Sequence, residues 1–580
     1  MLSKLLELAK ADEPLWLPAL RERFASAPAA RPVVLRLTGH DGTRRDYPCP
    51  LPRWETDEER QLVSAYLYAR IYNLLSACSG RELCLFFDQG DAELCALFES
   101  LDEVFQLSAS TRRGYGKVIS IAGRIAASYG GAAFRFSRAD IEDYVPLPAA
   151  SAPAATALDE TLRALVGKTV GLCLCGVDVG GTDIKLAASD GDRLVCTKEY
   201  DWNPAAYQTA EELIRPILIL TRLMRVCLAA SRTSVPQQLR DALAEALEKN
   251  AGLTFILMVT ETLEAFLGEK VDILDGVGVS FPDIVISDCI LGGETPKTDG
   301  MRRNVSLDYE REFQKLSDLR APLLALCRPG GRVRLTNDGN MAAFSAALEL
   351  ACSENAQAVY KGAVAHTLGT DLGTGWLQPD GQIPALPLEM YDMVLDLGSF
   401  RSRAYPPEDL RSTRNANSGL PGARRYMGQA AAYRLAWRLE PSLLDGFTAQ
   451  EGELLTVPTA PLDLRKPCLE QLMGRAEDGN PAAREVFRRI GAHLGVVTKE
   501  MDFLLGPQTR TRFLFGRFVK RPAVFALLRE GFEAEAPGFT LLPADDGLAK
   551  TPLMRALAAK PDVTVAQFGQ AVGAVYYVLT

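Results

Sequence analysis

Apolar and polar positions alternate in three distinct textures along the chain. Over residues 1–145 the pattern is mixed. Short alternating runs at 32–37 and 44–48 flank His40-Asp41-Gly42, which predicts a hairpin. A long amphipathic stretch at 57–78 predicts a helix, the apolar run 83–87 a buried strand, and 92–105 a second helix. Residues 146–157, PLPAASAPAATA, lose all periodicity, and each proline disfavours helix at the residue before it. The segment 146–165 therefore reads as a linker. Beyond it, strands are expected at 172–179, 184–188 and 193–197, joined by two glycine turns into an antiparallel meander. Helices are expected at 209–232 and 235–250, followed by a strand at 276–281. No fixed-period repeat is present.

Length and composition narrow the classes. A chain of 580 residues is too long for one domain of ordinary size. With 64 Lys and Arg against 73 Asp and Glu, the net charge of −9 argues against a general nucleic-acid binder. Hydrophobic residues at 47% and charged residues at 24% are the profile of a globular protein with substantial cores. Twelve cysteines are too dilute for a disulfide framework. The amino-terminal residues are interrupted by charge every few positions, unlike a secretory signal. The best candidate for a membrane span, 216–230, is broken by Arg222 and Arg225. The expected location is cytoplasmic.

The candidate chemistry starts at 178–185, Asp-Val-Gly-Gly-Thr-Asp-Ile-Lys. Adjacent glycines at Gly180 and Gly181 let backbone N–H groups approach an anion with no Cβ in the way. Thr182 adds a hydroxyl and Lys185 a point charge toward phosphate oxygens. Asp178, ending an apolar strand, suits a hydrated Mg²⁺. The bland alternative is an ordinary tight hairpin. A basic, glycine-bearing stretch at 112–117 reads as a solvated loop. Cys173 and Cys175 share one face of a strand and read as core, as does His493 in a helix. No P-loop, no GxGxxG and no complete nucleophile elbow occurs.

The 178–185 motif resembles the first phosphate loop of the sugar kinase, hsp70 and actin superfamily, in the form used by ROK (repressor, open reading frame, kinase) sugar kinases. Further ROK-like segments follow in order: GVGVSFP at 276–282, LTNDGNMAA at 335–343, LGTDLGTG at 368–375 and the helical stretch 478–501. The resemblance covers 166–580. It implies an α/β fold: a two-lobed actin-like ATPase (ribonuclease H-like) module with an extra N-terminal α/β domain at 1–145. The first lobe would span 166–340, joined by a C-terminal helix at 565–580, and the second 341–564. Each lobe would carry a mixed five-stranded sheet, with the active cleft between them.

The resemblance also assigns roles. Asp338 would be the base that takes the acceptor hydroxyl's proton, against the alternative of a helix N-cap. Asp178, Gly180, Gly181, Thr182, Lys185, Gly369, Thr370 and Gly373 would hold ATP phosphates and Mg²⁺. Gly516 and Arg517 would lie beside the adenosine, and Asn337, Asp338, Glu389, Asp392 and Lys297 would face the sugar. Departures from the family pattern are Asp371 and Thr374 in the second loop, Arg517 for glycine, Asp392 for histidine, Lys297 for asparagine and Met301 for tryptophan. Arg517 would either clash with the base or stack on it. Lys297 would suit an acidic or phosphorylated substrate, with a solvated loop lysine as the alternative. No cysteine occurs between Cys352 and Cys468, so the family zinc is not expected.

The implied function is ATP- and Mg²⁺-dependent phosphorylation of a sugar hydroxyl. The rival is a non-catalytic sugar sensor that kept the cleft. The implied partner is a small sugar, with neither nucleic acid nor membrane; a homodimer is admitted and not required. DNA binding is disfavoured because 1–145 is expected to begin with a strand hairpin. The role of that region, and of enlarged connections at 200–270 and 395–467, is unassigned.

Overall fold

The computed structural model describes residues 1–105, 124–126, 128, 134–148, 158–292, 296–369, 371–401, 404–412, 418–451, 454–458, 464–544 and 546–580. The chain opens with two helices, α1 (Leu2–Lys10) and α2 (Leu17–Ala25), before the expected hairpin. The expectation that a strand hairpin comes first is thereby corrected. These helices are only nine residues long, and Pro18 at the start of α2 disguised the second. They do not stand free. Their inner faces, including Leu5, Leu6, Leu20 and Phe24, are buried.

The hairpin is β1 (Val34–Thr38) and β2 (Arg44–Pro48). It is followed by α3 (Asp57–Cys78), β3 (Glu82–Phe87), α4 (Ala92–Phe105) and β4 (Arg135–Asp140). Thr56 caps α3, its side chain accepting the Glu59 N–H. The sheet order is β2-β1-β3-β4, with β3 and β4 parallel. Helix α3 is buried on nearly all sides beyond Leu62, polar residues Arg70 and Asn73 included. The stretch 112–117 lies outside the described residues.

One apolar core runs from Leu2 through this sheet into the second lobe as far as Leu541. Buried polar contacts fasten it. Leu15 N donates to Asp396 Oδ1 at 2.7 Å, and Leu17 N to Leu395 O at 2.8 Å. Glu500 receives Arg70 at 2.9 Å and Arg21 at 2.7 Å. Helix α5 (Leu158–Gly167) occupies the end of the segment read as a linker; Leu158, Leu162 and Leu165, one turn apart, are buried. Residues 149–157 lie outside the described residues.

The first lobe begins with β5 (Cys173–Val179), β6 (Asp183–Asp190) and β7 (Arg193–Asp201), an antiparallel meander as expected. Helix α6 (Ala210–Ser231) starts with a Thr209–Glu212 capping box. Strand β8 (Gly276–Phe281), a small ribbon of β9 (Val285–Ile286) and β10 (Cys289–Ile290), and β11 (Arg332–Asn337) follow. The five-stranded order is β11-β8-β5-β6-β7, with β5, β8 and β11 parallel. Helix α7 (Asp338–Ala351) leaves β11 directly and packs on the second lobe.

The second lobe holds β12 (Ala363–Leu368), β13 (Leu372–Leu377), helix α8 (Gly428–Leu439), a ribbon of β14 (Ala449–Glu451) and β15 (Leu454–Thr456), helix α9 (Pro481–Leu505), β16 (Thr511–Gly516) and β17 (Thr540–Pro543). Among the described residues its sheet has four strands, β13-β12-β16-β17, where five were expected. After β13 the chain meets Pro379, Pro384 and Pro387, which cannot donate to a ladder. Helix α10 (Val565–Tyr577) returns to pack on β5 and β8 of the first lobe. The architecture is the two-lobed actin-like α/β class, with its N-terminal α/β portion on the second lobe. Among the described residues no helix is long and apolar enough to cross a membrane. All twelve cysteines are unpaired, and Cys173 and Cys175 are core.

Candidate functional site

The β5–β6 turn is a tight hairpin. Gly180 N donates to Asp183 O at 2.7 Å. Trp202, not singled out from sequence, braces it: its indole N–H reaches Gly180 O and its backbone N–H reaches Thr182 O, each at 3.1 Å. Asp178 stands in register opposite Lys185 and beside Ser280. Burial pushes its carboxyl up to about 6, against the opposing pull of Lys185. The Lys185 ammonium is itself held by Asp183. Asp183, Glu199 and Asp201 bring carboxylate oxygens within 4.8 Å of one another, but Lys249 already bridges the last two at 2.7 and 3.4 Å.

Asp338 is the first residue of α7. Asn337 is the N-cap: its Oδ1 accepts the Gly339 N–H at 2.8 Å, a donor it shares with Asp338 Oδ1 at 2.8 Å, while Asn337 Nδ2 donates to Asp283 O at 2.7 Å. Burial raises the Asp338 carboxyl above its ordinary range, and Lys297 opposes the rise. The second loop closes on this carboxylate. A Cβ at Gly373 would lie 3.3 and 3.5 Å from its oxygens and only 2.2 Å from Thr367 Oγ1. A Cβ at Gly375 would lie 1.9 Å from Gly339 O, so backbone of β13 lies against the first turn of α7. Thr370 lies outside the described residues. Asp371 lies in the field of Arg424 and Arg425.

The residues expected to face the sugar come together near Asp338. Glu389 and Asp392 flank a short turn whose backbone is fixed by α3: Leu388 N donates to Ala77 O and Glu389 N to Ser76 O, both at 3.1 Å. Asn73 pairs with both backbone groups of Val394, at 2.7 and 2.9 Å. Glu389 is raised well above the carboxylate range, first by burial and then by Asp392, Asp283 and Asp338. Lys297 reaches toward the same space, donating to Pro282 O at 3.3 Å. Asp283 was legible as the residue after the 276–282 motif. Ser76, Asn73 and Tyr72 carry no local signal, because they lie some three hundred residues from the turn they support.

On the expected nucleotide side, Gly516 adopts φ +112°, a left-handed value that favours glycine. Arg517 reaches Glu470 at 4.0 Å. Lys520, also missed from sequence, sits in the field of Arg517 and, across the cleft, Lys185. Two glycine loops and nearby cations frame a cradle that is open at Gly181, where a Cβ would meet only Lys297 Cε at 3.7 Å, while at Gly180 and Gly373 a Cβ would run into Asp183 and Thr367. Its oxygen donors, Asp178 and Asp338, suit a hard divalent ion. The residues therefore fit a nucleotide polyphosphate with Mg²⁺.

No family model matches the sequence, and no curated protein matches it. Similar solved structures include a ROK family glucokinase from Streptomyces griseus in complex with glucose and AMPPNP, 16% identical, covering 70% of this chain and 99% of that one at a TM-score of 0.36. They also include a ROK hexokinase from Thermus thermophilus, 15% identical over 67% of this chain and 98% of that one, TM-score 0.35. A ROK family transcriptional regulator, a homolog of the E. coli MLC protein, is 12% identical over 70% of this chain and 82% of that one, TM-score 0.37. At these scores the likeness adds nothing to the topology and geometry above.

Proposed function

We propose that the chain is a divergent ROK-like phosphotransferase that moves the terminal phosphoryl group of ATP, with Mg²⁺, to a hydroxyl of a sugar or sugar derivative. The observation that carries the reading is the position of Asp338. Its carboxylate lies against the second glycine loop, in the field of Lys297 and of the Asp178 carboxylate, while Asn337 does the capping. Phosphoryl transfer asks mainly for positioning and charge stabilisation, which two loops and facing cations supply. ATP would rest on Gly180, Gly181, Thr182, Gly369 and Gly373, with Thr370 beside them. Mg²⁺ would be held through Asp178 and the phosphates. Lys185 and Lys520 would face the polyphosphate, and Gly516 and Arg517 the adenosine.

Asp338 would accept the acceptor hydroxyl's proton as the new bond to phosphorus forms. Asn337, Glu389, Asp392 and Lys297 would hold the sugar. A buried Glu389 that stays protonated can donate a hydrogen bond as well as accept one, which suits a hydroxyl-rich ligand. The setting of Asp371 toward Arg424 and Arg425 and of Arg517 toward Glu470 weakens the sensor reading, which leaned on those residues obstructing ATP.

The test is ADP formation across a panel of sugars, amino sugars and sugar phosphates, with Asp338→Asn alongside. Loss of the base should lower turnover about 10²–10⁴-fold while sugar binding persists. Sugar-dependent turnover that survives the substitution refutes the base assignment. Sugar-induced stabilisation with no turnover on any acceptor favours the sensor.

A further inference from the structure

The turn Ala423–Arg425 carries two adjacent arginines that the reading above leaves unused. It is fixed on both sides. Ala423 N donates to Met393 O at 2.8 Å, and Gly422 bridges Val394, which ties it to the acceptor turn. Gln429 N, on the first turn of α8, donates to Gly369 O at 3.1 Å, which ties it to the second glycine loop. The arginines are thus held where acceptor and transferred phosphoryl group would meet.

Their guanidinium groups are poorly satisfied. Arg424 Nε lies 3.8 Å from Asp392 Oδ1, too long for a hydrogen bond, and the group sits 5.6 Å from the Tyr391 ring centroid. The Arg425 side chain makes no hydrogen bond or ion pair among the described residues, its backbone N–H donating to Gly422 O at 2.9 Å. Both Nε atoms are buried without a partner among the described residues. The acidic groups in whose field they lie are Asp371 and Asp392. Two half-buried planar forks, side by side and short of acceptors, are an expensive arrangement for a protein that binds only a neutral sugar. They match a tetrahedral oxyanion, which accepts bidentate bonds from arginine. The donor's phosphates are already faced by Lys185 and Lys520 on the other side of the cleft, and the arginine turn is bonded to the acceptor turn. Lys297 acts on Asp338 and also lies beside Gly181 of the first glycine loop, so it stands between the two halves.

We propose that Arg424 and Arg425 hold the phosphate of a phosphorylated sugar in the acceptor half of the cleft. The proposal rests on the phosphotransferase reading for the place of the acceptor, and it narrows the substrate class to sugar monophosphates.

The experiment measures ligand-induced stabilisation and affinity of the full chain. The probes are glucose 6-phosphate, mannose 6-phosphate and N-acetylglucosamine 6-phosphate, the three neutral sugars, inorganic phosphate, and ADP with Mg²⁺. Variants are Arg424→Gln, Arg425→Gln and Arg425→Lys, each compared with its own ligand-free melting temperature, so a general loss of stability does not enter. At least one sugar phosphate should bind at least about tenfold more tightly than its neutral sugar and than inorganic phosphate. Arg425→Gln should erase that preference, roughly the worth of a charge-assisted hydrogen bond. Arg425→Lys should keep part of it, and ADP affinity should stay within about twofold in all variants.

Equal binding of sugars and their phosphates, no binding of any sugar phosphate, or a preference that survives Arg425→Gln overturns the proposal. So does a parallel loss of ADP affinity, which would put the pair on the donor's phosphates. If a sugar phosphate binds through these arginines but no ADP forms with any acceptor, the anion site stands and the phosphotransferase reading falls. If the wild-type chain turns over neutral sugars at least as well as their phosphates, the phosphotransferase reading stands and the anion site falls.

Discussion

Replacing Glu500 with glutamine tests whether the N-terminal elements build the acceptor side of the cleft. Glu500 sits on α9 with no exposed surface. It receives Arg70 from α3 at 2.9 Å, Arg21 from α2 at 2.7 Å and Asn73 Nδ2 at 3.4 Å. Arg70 is 1% exposed and Arg21 16%. Glutamine keeps the shape and one acceptor but leaves a buried guanidinium without its counter-charge. Breaking such a pair from one side costs about 3–5 kcal/mol. Water can still reach Arg21, so the lower half of that range is expected. This is a large part of a domain's total stability, ~5–15 kcal/mol.

The functional effect follows from Asn73, one turn from Arg70, whose amide pairs with both backbone groups of Val394. Loosening α3 frees the turn that bears Glu389 and Asp392, so acceptor affinity should fall while ADP affinity holds. Urea unfolding gives the stability change, and titrations with acceptor and with ADP give the split. A loss below about 1 kcal/mol, or equal loss of both ligands, refutes the reasoning. The double change Arg70→Met with Glu500→Leu should recover part of the stability, because it removes the two fully buried charges and leaves only Arg21, which water can reach.

Gly375→Ala should destabilise the chain by several kcal/mol and lower turnover, because its methyl would lie 1.9 Å from Gly339 O; a fully active, equally stable variant contradicts the backbone contact. Two buried histidines set an acid limit. His493, accepted by the Tyr426 carbonyl at 2.7 Å, is held down to about 4, and His366 to about 3, both by burial. Above about pH 6.5 both are neutral in either state and cost nothing. As pH falls from 6.5 toward 4 the unfolded chain takes protons that the folded chain refuses, and stability drops by roughly 1.4 kcal/mol per histidine per pH unit. The slope of stability against pH between 6 and 4.5 should be shallower in His493→Gln than in wild type; parallel slopes would sink this account.

Much of the first lobe was legible because its signals are local. The meander and the glycine pair each occupy a few adjacent residues, and the helix expected at 209–232 is observed as Ala210–Ser231. The two opening helices were not, since nine-residue helices carry little periodicity. The fifth strand expected in the second lobe is absent among the described residues, and Pro379, Pro384 and Pro387 after β13 disfavour one there. The amphipathic reading of α3 failed differently. Arg70 and Asn73 look like a solvent face until the second lobe covers them, and no window of sequence around residue 70 contains Glu500 or Val394. Glu389 and Asp392 were named from the sequence, but the support that α3 gives their turn was hidden for the same reason.

Helix α7 has one further consequence. It starts at the outer edge of the first lobe's sheet, yet it lies against β12 and β13 of the second. A rotation that closes the cleft about an axis near this helix would carry the 178–185 hairpin through an arc while Asp338 stays almost still. With the turn of Glu389 and Asp392 bonded to α3, the proposed base and acceptor would form the stationary partner, and the proposed donor's phosphates would travel to meet them.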